Sequence, residues 1–117
     1  MKVLLILNNA PYGSEKTYNA LRLAMALQKE QPQTEIYIFL LADSVTAALP
    51  VQVTPQGYYN IERMLKAVIG KGGQVKTCGA CSEARGIQNL SLLEGVEIST
   101  MSQLAQWTAG SDKVLVF

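Results

Sequence analysis

The sequence contains no histidine and only two cysteines among its 117 residues. A zinc site therefore has no imidazole to use, and two thiolates alone cannot complete a four-ligand sphere. Charge is equally scarce. Ten basic and nine acidic residues make 16% of the chain and leave a net charge of +1. That balance carries no electrostatic footprint for nucleic acid or an anionic membrane, so neither is expected as a partner. Long apolar runs are also missing. Met1 to Leu7 turns polar at Asn8-Asn9, too short for a signal-peptide core and far too short to cross a bilayer, and no later run is long enough to cross one either. The chain is expected in the cytosol, where thiols stay reduced and a C-x-x-C is more often reactive or metal-binding than structural. No repeat and no low-complexity segment is present.

What is present is apolar. Hydrophobic residues make up 49%, which at this length suits one domain, residues 1–117, burying roughly two thirds of the surface its unfolded form exposes. So few charges around so much apolar content predict that copies of the chain cover part of its surface.

Strand and helix patterns alternate throughout. Val3 to Leu7 reads as a strand covered on both faces. Ala10-Pro11-Tyr12-Gly13 breaks it, and Ser14 can cap a helix running to about Glu30. Glu35 to Leu41 is a second apolar strand, after which Asp43-Ser44 can cap a short helical turn through Ala48. Pro50 to Gly57 reads as a loop. Ile61, Met64, Leu65, Val68 and Ile69 then recur with helical spacing, and Gly70, Gly72 and Gly73 end that helix. Gln74 to Thr77 is a third strand running straight into Cys78. A short helix is expected from Ser82, a weak strand at Val96 to Ile98, a T-x-x-Q capping box at Thr100–Gln103 opening a helix to about Ala109, and a last strand at Lys113 to Phe117. This alternation predicts a single-domain, three-layer α/β/α fold with a mostly parallel sheet. Right-handed crossovers put every strand's carboxyl end on one edge, where ligands bind. Asn8, Tyr12, Asp43 and Cys78 are thereby candidates for one rim, although Asp43 serves more simply as a helix cap and the Asn8–Gly13 stretch as a turn.

Two phosphate-binding motifs are absent from that rim. Lys16-Thr17 opens a helix after a strand, but glutamate stands directly before the lysine where a phosphate loop needs glycine, and no G-x-G-x-x-G follows the first strand. The cysteines carry more. Cys78 follows a strand and precedes a helix, so amide groups are expected to point at its sulfur. A helix end stabilises an anion by about 0.3–1 kcal/mol, up to roughly 2 when partly buried, and so is expected to lower the thiol pKa by up to roughly one unit. Arg85 adds to this effect if it folds back, whereas Glu83 opposes it. The residues alone leave four readings open: a shared or carboxylate-completed zinc site, a thioredoxin-like dithiol, two small structural residues, and a sulfur carrier with a persulfide on Cys78.

Three stretches taken together, "NNAPYGSEKTYNALRLAMAL", "GYYNIERMLKAVIGKGG" and "TCGACSEARGI", resemble the DsrE/DsrF-like family of small sulfur-relay proteins, most closely its YchN-like branch. The resemblance runs over essentially the whole chain. It implies a five-stranded parallel sheet with flanking helices, a hexamer of one chain or of related chains, and protein partners that donate or accept sulfur. It implies no organic cofactor and no metal. Sulfur-transfer members carry a cysteine after the third strand with Arg-Gly at fixed spacing; Cys78 with Arg85-Gly86 matches, so the persulfide role carries over to Cys78, with Arg85 stabilising thiolate or persulfide. Cys81 is an addition to that pattern. A neighbouring thiol can attack the persulfide, release sulfide and leave a disulfide. The alternatives to a relay are a non-catalytic assembly module and a C-x-x-C redox protein. Trp107 is expected in the core or at a subunit interface, and Met25, Met64 and Met101 are expected to fill the core.

Overall fold

The computed structural model describes all of residues 1–117. Five strands form one sheet: β1 (Lys2–Leu7), β2 (Glu35–Leu40), β3 (Gln74–Cys78), β4 (Val96–Ser99) and β5 (Lys113–Val116). The helices are α1 (Lys16–Glu30), α2 (Ile61–Gly70), α3 (Gly79–Ala84) and α4 (Met101–Gly110), with 3₁₀ segments at Ala42–Ala48 and Pro55–Gly57. No helix is long and apolar enough to cross a membrane.

Strand order is β4-β3-β2-β1-β5, and every neighbouring pair is parallel. The chain moves from β1 to β4 in one direction and then returns past the start to lay β5 on the far side of β1. Right-handed crossovers require helices of the outgoing connections on one face and the helix of the return connection on the other. The packing follows this rule. On one face α1 lies against α2, with Leu21, Ala24, Leu65 and Val68 buried and Gln28 Nε2 donating to the Val68 carbonyl at 2.9 Å. On the other, Trp107 of α4 stacks on Tyr37 at 4.8 Å between ring centroids and meets Phe39 edge-on at 6.1 Å. Lys76 lies on this same face by register, its Nζ 5.0 Å from the Trp107 ring centroid and 3.7 Å from Glu97 Oε2.

The central strands are apolar throughout because both faces are covered. Leu4, Leu5, Leu7, Ile38, Phe39 and Leu40 are all fully buried. The edges are not covered: Val114 and Val116 of β5 and Ile98 of β4 are exposed, Val116 at 66%. Met25 and Met101 are exposed as well, so of the three methionines expected to fill the core only Met64 packs against it. Their helices present polar or unpartnered faces at those positions.

Helix starts differ in detail from the expected caps. α1 begins at Lys16, and Ser14 Oγ accepts from the Lys16 amide at 3.3 Å without being the residue at the cap position. Thr100 does cap α4, its Oγ1 accepting from the Gln103 amide at 3.2 Å. The segment Ala42–Ala48 is 3₁₀ and has no side-chain cap; Ser44 Oγ instead donates to the Leu7 and Leu41 carbonyls and Asp43 turns outward. α3 starts at Gly79, three residues before the expected Ser82, because Cys78 itself takes the cap position.

Trp107 is the main cover of one sheet face. Trp107→Ala is expected to lower the unfolding free energy by about 2–4 kcal/mol, and Trp107→Phe by distinctly less, in urea denaturation followed by far-ultraviolet circular dichroism.

Candidate functional site: a cysteine pair at the carboxyl edge of the sheet

Parallel pairing brings Leu7, Leu40, Cys78 and Ser99 to one edge of the sheet. Cys78 ends β3 with extended backbone (φ −68°, ψ 121°) and caps α3, its Sγ accepting from the Cys81 amide at 3.3 Å. Spacing explains this bond: the third residue into a helix presents its free amide back to the cap position. Gly79 and Ala80 keep the approach small, and Ser82 Oγ donates to the Cys78 carbonyl at 2.8 Å. Both thiols are free.

Cys81 sits one turn on, and its Sγ accepts from the Ala42 amide at 3.3 Å. Ala42 adopts φ +50°, a left-handed conformation that an L-residue with a β-carbon occupies at a cost of about 1–2 kcal/mol. That strained turn, immediately after β2, aims an amide at a sulfur. Arg85 closes the group. Its Nε and Nη2 reach Asp43 Oδ1 at 3.0 and 2.9 Å, and its Nη1 donates to the Cys81 carbonyl at 3.0 Å. Asp43 therefore ties α3 to the segment after β2 and does not cap that segment. The guanidinium holds the backbone of the pair and makes no hydrogen bond to Cys78 sulfur, while Glu83 is exposed.

The electrostatics reverse the expected activation of Cys78. Burial, with 6% of the residue exposed, pushes its thiol up from the ordinary range, and the neighbouring Cys81 side chain pushes it further. The Cys81 and Ala80 amides pull the other way and lose. A six-residue helix supplies too little field to overcome desolvation of a sulfur anion. Thr77 adds nothing in compensation: its Oγ1, buried on the preceding residue, has no hydrogen-bond partner.

Of the six candidate residues, Cys78, Cys81, Arg85 and Asp43 come together. Asn8 and Tyr12 do not join them. Asn8 bridges to β5 through the Phe117 carbonyl, which its backbone amide reaches at 3.0 Å. The Tyr12 hydroxyl donates to Gln52 Oε1 at 2.7 Å and accepts from the Ile61 amide at 3.1 Å. Gln52 is a junction. Its Oε1 also accepts from the Glu62 amide, its Nε2 donates to the Ala47 and Leu49 carbonyls, and its own amide donates to Glu62 Oε1 at 2.8 Å. That last bond, with help from Lys66, holds the Glu62 carboxyl below its usual range. No group of three or more thiol and carboxylate side chains converges to form a metal-binding cluster within the chain. Sequence reasoning missed Ala42 and Gln52. Neither leaves a mark in the sequence, since alanine does not announce a left-handed turn and glutamine fits any surface loop.

A thiol held up by burial carries less thiolate at neutral pH than the few per cent of a free cysteine. Cys78 is expected to react with iodoacetamide at pH 7 more slowly than free cysteine, and to keep accelerating as pH rises past the ordinary thiol range. Mass-spectrometric rates on Cys81→Ser check this; faster alkylation than free cysteine would contradict the burial argument.

The profile of the DsrE/DsrF-like family matches residues 1–117. The chain is 46% identical to Protein YchN of Escherichia coli strain K12 over 116 residues, covering 99% of this chain and 98% of that protein. The crystal structure of the E. coli ychN protein superposes with a TM-score of 0.94 over 99% of this chain and 98% of that one. A protein of unknown function from Methanobacterium thermoautotrophicum, MTH1491, shares the fold at a TM-score of 0.78 with 15% identity, covering 97% of each chain. On sequence and architecture together, the chain belongs to the DsrE/DsrF-like family.

Proposed function

We propose that the chain is a sulfur-relay protein in which Cys78 accepts a sulfane sulfur and a protein partner receives it. The observation that carries this reading is the pair itself: a cysteine ending β3, its sulfur met by a backbone amide, with a second thiol three residues on, in a chain that belongs to the family over its whole length. In the loading step the Cys78 sulfur attacks the outer sulfur of a donor persulfide. A new S–S bond forms on Cys78, the donor's S–S bond breaks, and the donor leaves as a thiolate that takes up the Cys78 proton. No net oxidation occurs. The added sulfur extends about 2 Å beyond Sγ, so the negative charge of the persulfide lies farther from the apolar surroundings that suppress the bare thiolate.

Delivery has two routes. A partner thiolate can take the outer sulfur by the same exchange run backward. Alternatively, Cys81 attacks Cys78 Sγ, the S–S bond to the outer sulfur breaks, hydrogen sulfide leaves, and a Cys78–Cys81 disulfide remains. The two thiols supply the two electrons that reduce sulfane sulfur to sulfide, and an external thiol must then reduce the disulfide. Arg85 acts through position: with Asp43 it fixes the Cys81 carbonyl and hence the turn that carries both sulfurs.

The working form is a homo-oligomer in the cytosol, six copies by the family resemblance. The exposed apolar residues of the edge strands, Ile98, Val114 and Val116, favour an assembled chain. If the cysteines prove inert, that same surface supports the second reading, an assembly module without chemistry.

Intact mass spectrometry after incubation with a cysteine-persulfide donor tests the relay. The native chain is expected to gain one sulfur, Cys78→Ser none, and Cys81→Ser to hold its sulfur longer because the internal release route is gone. A loss of two hydrogens with no sulfur gained in any variant would instead mark a dithiol switch. Sedimentation equilibrium is expected to give six times the chain mass, and a monomer would remove the assembly reading.

A further inference from the structure

A second cleft lies outside the carboxyl end of β1. Strand order reverses at β1: α1 leaves toward β2 on one sheet face, while α4 leads into β5 on the opposite face. The cysteines are not there; Cys78 ends β3, two strands away, and Cys81 follows it in α3. A cavity of about 630 Å³, within the range of small-molecule sites, lies between the turn after β1, the first turn of α1 and the Tyr58–Tyr59 stretch before α2.

Its walls have one chemistry. Four of the chain's five tyrosines, Tyr12, Tyr18, Tyr58 and Tyr59, line it. Tyr12 and Tyr59 meet with centroids 6.2 Å apart and planes at 68°, and Tyr58 and Tyr59 at 5.6 Å and 88°. Successive rings at near right angles present π faces in different directions. The wall is also built to stay in place. The Tyr12 hydroxyl is fixed by Gln52 and the Ile61 amide, and Tyr59 holds φ +47°, a conformation a bulky residue rarely adopts. Tyr58 is nevertheless 72% exposed, held by its backbone amide on the Pro55 carbonyl at 2.9 Å and by no side-chain hydrogen bond.

Charge decides what the cleft would take. Glu15 is the only residue lining it that is charged at neutral pH, and it makes no ion pair. No lysine or arginine lines the cavity, so an anion would meet an unopposed carboxylate. A neutral apolar ligand would desolvate that carboxylate without compensating it. Aromatic faces with a carboxylate at their rim match a positively charged ligand. The chain already uses this attraction alongside the cavity, where the Arg22 guanidinium stands 5.5 Å over the Tyr18 ring. The rings of Tyr12, Tyr58 and Tyr59 carry no such cation. We propose that this cleft binds a small organic ammonium cation, enclosed by Tyr12, Tyr58 and Tyr59 and countered by Glu15. The site is separate from the cysteine pair and does not depend on the relay reading.

The test is proton NMR of the full chain, following the tyrosine ring resonances during titration with choline, with n-butylammonium, and with 3,3-dimethylbutan-1-ol, the neutral isostere of choline. At least one cation is expected to give saturable shifts of the Tyr12, Tyr58 and Tyr59 rings with a Kd of about 1 mM or tighter, and the alcohol to bind about tenfold or more weakly. Glu15→Gln is expected to weaken the cation several-fold and leave the alcohol unchanged. Tyr58→Ala, at an exposed position that leaves the fold intact, is expected to weaken the cation as well. Equal binding of alcohol and cation would reduce the cleft to an apolar gap and overturn the proposal. So would the absence of saturable shifts with either cation, or a Glu15→Gln variant that binds both probes as the native chain does.

Discussion

Parallel pairing is the constraint on which the rest depends. Once β1 and β2 align in the same direction, Leu7 and Leu40 reach one edge together, and every later strand in the sheet must deliver its carboxyl end there too. The covering layers are the other side of the same rule. Parallel strands need helical crossovers, the crossovers bury both faces, and both-face burial is why Leu4, Leu5, Ile38 and Phe39 form continuous apolar runs. Ala42 and Asp43 come from a stretch of sequence far from residues 78–85 and still join them in one group, because the topology brings both to the same edge.

Within that group two demands oppose each other. A thiol tucked at the end of a central strand is shielded, and shielding disfavours the anion that sulfur chemistry requires. The protein answers with backbone amides aimed at both sulfurs, one supplied by α3 and one by the strained turn at Ala42. For Cys78 the amides do not win. A resting thiol kept protonated is protected from adventitious alkylation and oxidation. The Asp43–Arg85 pair contributes little as an isolated surface ion pair, but its third bond, to the Cys81 carbonyl, makes it a brace on the turn.

The parts legible in the sequence were those with a period or a local rule. The apolar strands at Val3–Leu7 and Glu35–Leu40, the spacing of Ile61 to Ile69 and the Thr100 cap each follow from residues within a few positions of one another. Cys78 was legible as the end of a strand, and with it the pair. The start of α3 was misplaced because a cysteine in the cap position breaks the usual preference for serine, threonine, asparagine or aspartate. Asp43 was misjudged for the opposite reason. It obeys the capping preference in sequence, yet Arg85, 42 positions away, offers a charged partner that only the folded chain brings close. The sign of the shift at Cys78 was out of reach because burial is a property of the assembled layers, not of the motif.

The junction at Gln52 has a kinetic meaning. One side chain joins the turn after β1, through Tyr12, to the end of the 3₁₀ segment, through Ala47 and Leu49, and to the start of α2, through Glu62. These bonds share their donor and acceptor atoms, so one of them cannot be released without weakening the others. The tyrosine wall, residues 50–60 and the first turn of α2 therefore open and close as one subglobal unit with a single opening free energy, instead of fraying residue by residue. Anything that seats between the rings slows that whole unit, and the effect extends to amides of α2 that the ligand never touches.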